Sequence, residues 1–360
     1  MNPCERLLSL LPTDGEQLPD AALVTSPVNR RYLTGFPSSA GVVLVTKQAS
    51  YFLTDFRYSE AAAEKVKTCE VLMYERMEDT LCSLAQKHGI KRVLFEHDEM
   101  TLTEADRYKG ILEKCGSEAV LDKTLDGILR DMRLIKTEEE VKKIKESQAL
   151  TEAAFGHILT RIRPDVTERQ LALEIEYYMR KNGADGVAFE LIVVSGKNSS
   201  RPHGVPSEKP LERGDFVTMD TGALLDGYHS DMTRTVALGS ASDEQRMVYE
   251  TVLTAQKTAI STVRPGILCG DVDKAARDII EKNYKGMFGH STGHCVGMQI
   301  HEAPAFAPLN QTVTQPGMVV TVEPGIYLPG RFGVRIEDMV VITEEGCRNL
   351  TNAPKELLIV

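Results

Sequence analysis

Residues 215–238 read DFVTMDTGALLDGYHSDMTRTVAL. The flanks, Asp215–Ala223 and Tyr228–Leu238, are rich in apolar and β-branched residues, and Leu224-Leu225-Asp226-Gly227 lies between them. An Asp-Gly in that place is a strong hairpin signal. If the two-residue loop is Leu225-Asp226, residue i pairs with 451 − i and Asp220 faces Asp231. If it is Asp226-Gly227, residue i pairs with 453 − i and the two acids are diagonal. In either register both carboxylates point to the same face of the sheet.

A second acid pair lies further along. Gly317–Glu323 and Val334–Ile342 read as strands flanking Pro324–Gly333, and a hairpin centred on Gly330 sets Glu323 opposite Glu337. Pro324 is placed to end the first of these strands. Like charges facing across strands are destabilising, and burial makes them worse. Bound cations remove the conflict, and four carboxylates neutralise two divalent ions. Between the two acid pairs, Phe288–His301 reads FGHSTGHCVGMQIH and brings His290, His294 and His301 within twelve residues. Its glycines predict a bent strand or a close backbone approach. His203, in Arg201-Pro202-His203-Gly204, falls on a loop, where functional side chains concentrate. The dipeptide His301-Glu302 lacks the second histidine of a zincin helix.

The acid pairs belong to a weak internal duplication. Arg163-Pro164 precedes Leu171, Ile175 and Tyr178; Arg264-Pro265 precedes Val272, Ala276 and Ile279 at the same offsets, each set on one helix face. Helical stretches Glu139–Ile162 and Asp243–Val263 come before them. Thr137/Glu140 and Ser242/Gln245 read as capping boxes at their starts. Each half therefore reads helix, helix, sheet. Upstream, strand patterns at Ala21–Thr25, Gly41–Val45, Tyr51–Thr54, Val71–Tyr74 and Arg92–Phe95 alternate with helices Arg57–Lys67, Thr80–Lys87 and Thr103–Lys114. That is an α/β domain without a glycine-rich phosphate loop, suited to scaffolding or assembly. The charged stretch Arg130–Lys145 reads as a linker running into a long helix, which divides the chain into 1–130 and 131–360 and makes the fold class α+β.

Composition excludes other classes. The 360 residues carry a net charge of −10, the wrong sign for a nucleic-acid backbone binder. The longest apolar runs, such as Val42–Val45, are far short of the ~20 residues of a membrane helix. The N-terminus has no signal-peptide pattern. Seven cysteines with no C-x-x-C read as free thiols in the cytoplasm.

Five ordered motifs carry a resemblance over nearly the whole chain: RPHG at 201–204, MDTGALLDGYHSDMTRT at 219–235, GHSTGHCVGMQIHEAP at 289–304, TVEPG at 321–325 and GVRIED at 333–338. They resemble the pita-bread metallopeptidases, within them the Xaa-Pro dipeptidase (prolidase) and aminopeptidase P group. YLTGF at 32–36 and TDFRY at 54–58 resemble the creatinase-type N-terminal domain of that group.

The resemblance implies metal ligands Asp220, Asp231, His294, Glu323 and Glu337, with Asp231 and Glu337 bridging two ions. Glu323 would accept the proton, His203 and His301 would stabilise the transition state, and His290 and Arg335 would line the substrate pocket. Thr233 would support the ligands from behind. The hard donor set suits Mn²⁺ and tolerates Co²⁺, Fe²⁺ or Zn²⁺. Cys295, where glycine is common, would expose activity to oxidation. The implied activity is hydrolysis of Xaa-Pro dipeptides by a hydroxide bridging two metals, in a homodimer whose substrate has proline second. Xaa-Pro aminopeptidase on longer peptides is the alternative. Methionine aminopeptidase, a creatinase-type amidinohydrolase and a non-catalytic binding protein stand behind it.

Overall fold

The strands at the centre of the N-terminal sheet are short, apolar and buried on both faces, as a sheet covered by helices on each side requires. In the computed structural model, residues 1–13 and 18–360 are described. They form two units, Met1–Arg133 and Leu134–Val360.

The first unit runs α1 (Pro3–Leu10), β1 (Ala21–Val24), α2 (Pro27–Thr34), β2 (Val42–Thr46), β3 (Ser50–Thr54), α3 (Phe56–Lys65), β4 (Glu70–Met73), α4 (Met77–His88), β5 (Arg92–Phe95), α5 (Leu102–Lys114), β6 (Glu118–Val120) and α6 (Thr124–Leu134). The sheet order is β4-β3-β2-β1-β5-β6. Alternate strand residues serve two cores. Ala21, Leu23, Leu44, Leu53 and Phe95 meet α4 and α5, while Ala22, Val24, Val43, Phe52 and Leu94 meet α1, α2, α3 and α6.

Three expectations change in this unit. First, α1 and α2 are eight-residue helices opened by Asn2 and Ser26 caps with proline in the first turn, too short to show a periodicity. Second, the linker read from Arg130 is shorter, because a helix extends to Leu134 as α6 buries Leu125, Leu129 and Met132, and only residues 135–137 separate it from the long helix expected there. Third, Cys82 and Cys115 form a disulfide with their Cα atoms 5.0 Å apart, so the expectation of seven free thiols is corrected. Packing of α4 on α5 brings together cysteines that are 33 residues apart in sequence.

The second unit repeats one plan. Helices α7 (Glu138–Leu159) and α8 (Glu168–Lys181) lead to β7 (Gly186–Val187), β8 (Ile192–Ser195), β9 (Phe216–Thr221), β10 (Ala223–Leu225), β11 (Tyr228–His229) and β12 (Met232–Ala237). Helices α9 (Asp243–Thr262) and α10 (Cys269–Ile280) lead to β13 (Gly293–Cys295), β14 (Glu302–Phe306), β15 (Val319–Val322), β16 (Gly325–Leu328), β17 (Phe332–Arg335), β18 (Asp338–Ile342) and β19 (Cys347–Asn349). Both capping boxes form, at Thr137/Glu140 and Ser242/Gln245. Leu171 and Ile175 on α8 bury against the sheet β12-β9-β8. Val272 and Ala276 on α10 bury in the core of the sheet β14-β13-β15-β18-β19.

The first hairpin takes the register 453 − i throughout, pairing Leu225 with Tyr228 and Thr233 with Asp220. The loop is therefore Asp226-Gly227, with φ of 48° and 82°. Positive φ at both positions is what an Asp-Gly loop supplies and a side chain at the second position resists. Gly227→Ala is expected to cost about 1–2 kcal/mol of stability. Urea unfolding followed by circular dichroism measures it, and an unchanged midpoint would contradict this turn geometry.

Candidate active site

Each hairpin delivers its acids through a break in its own ladder. Asp220 is the penultimate residue of β9, and Asp231 immediately precedes β12, diagonal to it. In the second half, Val322 pairs with Asp338 and Gly325 with Arg335. Both pairs obey the register centred on Gly330. Glu323 and Glu337 occupy the gap between them, where Pro324 interrupts the strand. Backbone bonds fix the gap: Glu323 N–H donates to Thr292 O at 2.7 Å, and Glu337 N–H donates to Thr233 O in the first half at 3.1 Å. Residues 324–333, left by the sequence as the connection between the two strands, continue the same register as the strand pair β16–β17.

The four acids converge with one imidazole. Oxygens of Asp220, Asp231 and Glu337 lie within 4.8 Å of one another. His294 Nε2 is 3.6 Å from Asp231 Oδ2 and 3.4 Å from Glu323 Oε1. The Nδ1 of His294 is occupied by the carbonyl of Cys295 at 3.0 Å, which leaves Nε2 to face the acids. Gly293 allows this approach, since a Cβ there would stand 1.9 Å from Thr321 O.

Burial, then the neighbouring acids, push the carboxyls of Asp231 and Glu337 well above their ordinary values. Burial raises Glu323 to about 8, with Asp220 adding to the rise and Arg335 opposing it. Asp220 Oδ1 and Glu337 Oε1 are buried without a hydrogen-bond partner. Orphaned, mutually repelling oxygens beside a free imidazole nitrogen fit divalent cations, which would satisfy all of them together.

All the candidate residues face one cavity of about 660 Å³: His203, Asp220, Asp231, His290, His294, His301, Glu323, Arg335 and Glu337. Phe189, Ile192, Pro202, Ile300 and Ala303 add apolar wall. His203 and His301 are exposed to this space. Partial desolvation at the cavity wall, followed by the nearby histidines His294 and His203, holds the His301 imidazole below its ordinary value. His290 differs. Its Nδ1 meets Ser291 O at 2.8 Å and its Nε2 meets the Tyr327 hydroxyl at 2.9 Å. Burial and Arg335 lower it to about 4. It is therefore a neutral wall with no ring nitrogen left for a substrate.

Arg335 is equally committed. It donates to Asp220 Oδ2 at 2.5 Å, Tyr327 Oη at 2.8 Å, Thr233 Oγ1 at 3.1 Å and Pro202 O at 3.2 Å. Thr233 in turn donates to Glu337 Oε2 at 2.7 Å. Thr233 thus acts on Glu337 rather than on its sequence neighbour Asp231. The thiol of Cys295 is fully buried in the core and pushed up to about 12 by that burial. A buried thiol of this kind is inert, which overturns its expected sensitivity to oxidation.

Two residues escaped the sequence reading. Tyr327 lies in β16, within the stretch that the sequence left unassigned between two strands. Thr321 donates to Glu323 Oε1 at 3.2 Å and accepts from His294 N at 3.0 Å. Its position two residues before Glu323 was the available signal.

Residues 142–344 match metallopeptidase family M24, and residues 6–135 match the creatinase/prolidase N-terminal domain. The chain belongs to metallopeptidase family M24. It is a metal-dependent peptidase. The chain is 37% identical to an Xaa-Pro dipeptidase of Pyrococcus furiosus, covering 98% of this chain and 99% of that one. It superimposes on the structure of an Xaa-Pro dipeptidase from Bacillus anthracis with a TM-score of 0.93 at 43% identity, covering 99% of both chains. An X-Pro aminopeptidase from Thermotoga maritima matches with a TM-score of 0.91 at 35% identity, again over 99% of both.

The raised carboxyl groups make the metal-free protein sensitive to pH in a defined direction. Between 4.5 and about 8, Glu323 holds a proton in the folded chain that the unfolded chain has released. Stability therefore falls as pH rises through this window. The Tm of the unit Leu134–Val360 in the chelated protein should drop from pH 5 to pH 8 by at least about 2–4 °C, the shift that about 1 kcal/mol makes in a unit of roughly 150–250 residues. Mn²⁺ should raise Tm more at pH 8 than at pH 5, and Glu337→Gln should blunt both effects. Scanning calorimetry reads this directly; a flat profile with no metal response would contradict the site.

Proposed function

We propose that this metallopeptidase hydrolyses Xaa-Pro dipeptides. The carrying observation is the convergence of four carboxylates and His294 beside His203 and His301 in one cavity. Asp220, Asp231, His294, Glu323 and Glu337 would hold two divalent cations, with Mn²⁺ the best match to mostly oxygen donors. Asp231 belongs to both groups of close contacts, near Asp220 and Glu337 on one side and His294 on the other, so it would be within reach of either cation. Bound there, the cations supply a water acidic enough to act as nucleophile near neutral pH.

The chain's own groups do the rest. Glu323 takes the proton released by the attack. His301 and His203 donate to the carbonyl oxygen as charge develops on it. Phe189, Ile192 and Ile300 offer an apolar surface against which a proline ring can pack, and Arg335, Tyr327 and His290 hold the wall behind Asp220 rigid. An Xaa-Pro bond lacks an amide hydrogen, so recognition rests on the ring's shape and on the free N-terminus. The reading includes a homodimer, which the family resemblance implies, and a cytoplasmic location, which rests on the five cysteines that stay free. Cleavage of longer peptides in the manner of aminopeptidase P is the second reading, favoured by the likeness to the Thermotoga structure.

Hydrolysis of Leu-Pro, Leu-Pro-Pro and Met-Ala-Ser by the chelated and then Mn²⁺-restored enzyme, read by mass spectrometry, tests this. Leu-Pro alone should be cleaved, and only with metal. Release of Leu from the tripeptide would move the assignment to aminopeptidase P; release of Met alone, to methionine aminopeptidase. Alanine at His203 or His301 should lower kcat about 10²- to 10³-fold with metal content unchanged.

A further inference from the structure

Several fully buried carboxylates, Glu96, Glu168 and Asp338 among them, lie outside the acid cluster, and one of these reaches the loop that carries His203. Glu168, the first residue of α8, is 0% exposed. Ser195 donates to its Oε1 from N–H at 2.6 Å and from Oγ at 2.9 Å. Asn198 Nδ2 donates to both oxygens at 3.1 and 3.2 Å. Ser207 donates to Oε2 from N–H at 3.1 Å and from Oγ at 2.6 Å. Such charge-assisted bonds, made at the positive end of a helix, offset the cost of burying the charge.

The donors come from both ends of a single segment. Ser195 ends β8, Ser207 precedes the return to β9, and His203 lies between them. The far side of the segment is also tied: Gly333 N–H donates to Ser199 Oγ at 2.9 Å, and Arg335 Nη1 donates to Pro202 O at 3.2 Å. His203 itself is exposed to the cavity, and among the described residues no side-chain hydrogen bond of its own holds it.

The second half uses the same device. Asp273 on α10, 1% exposed, accepts from Thr292 N–H at 3.1 Å and Thr292 Oγ1 at 2.9 Å. It also pairs with Arg277, which donates to the carbonyls of Phe288 and His290, each at 2.8 Å. In both halves an acid on the second helix secures the segment carrying a cavity histidine. The two acids are not at matching offsets in the duplication, so the function recurs where the position does not.

We propose that Glu168 is a positioning residue for His203, setting where its imidazole stands in the cavity. The inference rests on the role given to His203 above. A loose loop would leave that imidazole present but misplaced, and a misplacement of about 1 Å can cost a catalytic group about 10²-fold in rate.

The test uses the Mn²⁺-loaded full chain. Glu168→Gln turns one acceptor into a donor facing the donors of either Ser195 or Ser207, while Ser207→Ala removes the hydroxyl bond to Glu168 and Asn198→Ala both amide bonds, should the glutamine variant fold poorly. Metal content should be unchanged, and kcat on Leu-Pro should fall about 10- to 100-fold. In the double variant E168Q/H203A, activity should equal that of H203A alone, because Glu168 acts only through His203. Losses that multiply, or an E168Q enzyme with wild-type kcat, would overturn the proposal. Hydrogen exchange gives a readout independent of activity. Amides of residues 198–206 should exchange faster in E168Q, with those of α7 and β12 unaffected. Unchanged protection overturns the clamp even if activity falls. If the wild-type enzyme cleaves no Xaa-Pro peptide, the function fails while the exchange result still decides the clamp.

Discussion

Four carboxylates are held together against their own repulsion. Asp231 and Glu337 are buried, their carboxyls raised, and oxygens of Asp220 and Glu337 are left without hydrogen bonds. Such a cluster is unstable by itself and survives only because two rigid hairpins enforce it. The hairpins meet through backbone: Glu337 is bonded to Thr233 of the first half. Stability is given up locally to create affinity for cations, and the surrounding cores supply the difference.

Those cores are arranged to keep the hairpins from relaxing. Arg234, fully buried, donates to the carbonyls of Thr233, Glu337, Ala353 and Pro354 and pairs with Asp338, which also pairs with Lys355. The C-terminal segment is thereby pinned behind the acids, and Ile359 extends the pairing of Ala237. On the cavity side, His290, Tyr327, Arg335 and Asp220 form a chain of hydrogen bonds. A change in His290, Tyr327 or Arg335 is felt at Asp220 Oδ2, because the polar atoms linking these three are already engaged with one another. A second buried pair, Lys136 with Glu302, anchors the residue that follows His301. The histidines thus stand on segments whose neighbours are fixed by buried charge.

The duplicated plan gives this arrangement an economy. Each half contributes one hairpin with two acids, and each packs its hairpin sheet against its own helix pair. The halves are unequal where chemistry requires it. The second supplies His294, His290 and His301 from one glycine-rich stretch, and the first supplies His203 from the loop between β8 and β9. Gly293 shows the cost of that compactness: its strand lies so close to Thr321 that only a hydrogen fits.

Much of this was legible in the sequence because the information is local. A two-residue Asp-Gly loop narrows the register of a hairpin to two choices, and parity alone puts Asp220 and Asp231 on one face. The register about Gly330 likewise follows from chain symmetry, and the capping boxes and helix periodicities need only neighbours in sequence. The repeated pattern and the ordered motifs were enough to place the chain in its family.

What needed the tertiary structure is everything that depends on which segments meet. The Cys82–Cys115 bond follows from the packing of α4 on α5, which spacing does not encode. Tyr327 became part of the site only when residues 325–335 folded back as a hairpin. His290 and Arg335 sit at the cavity, but their polar atoms are spent on partners distant in sequence. Side-chain chemistry and turn geometry are properties of a few consecutive residues, so the sequence determined them by itself. Bonding saturation, burial and the resulting shifts in charge are properties of an environment, and only the folded chain decides those.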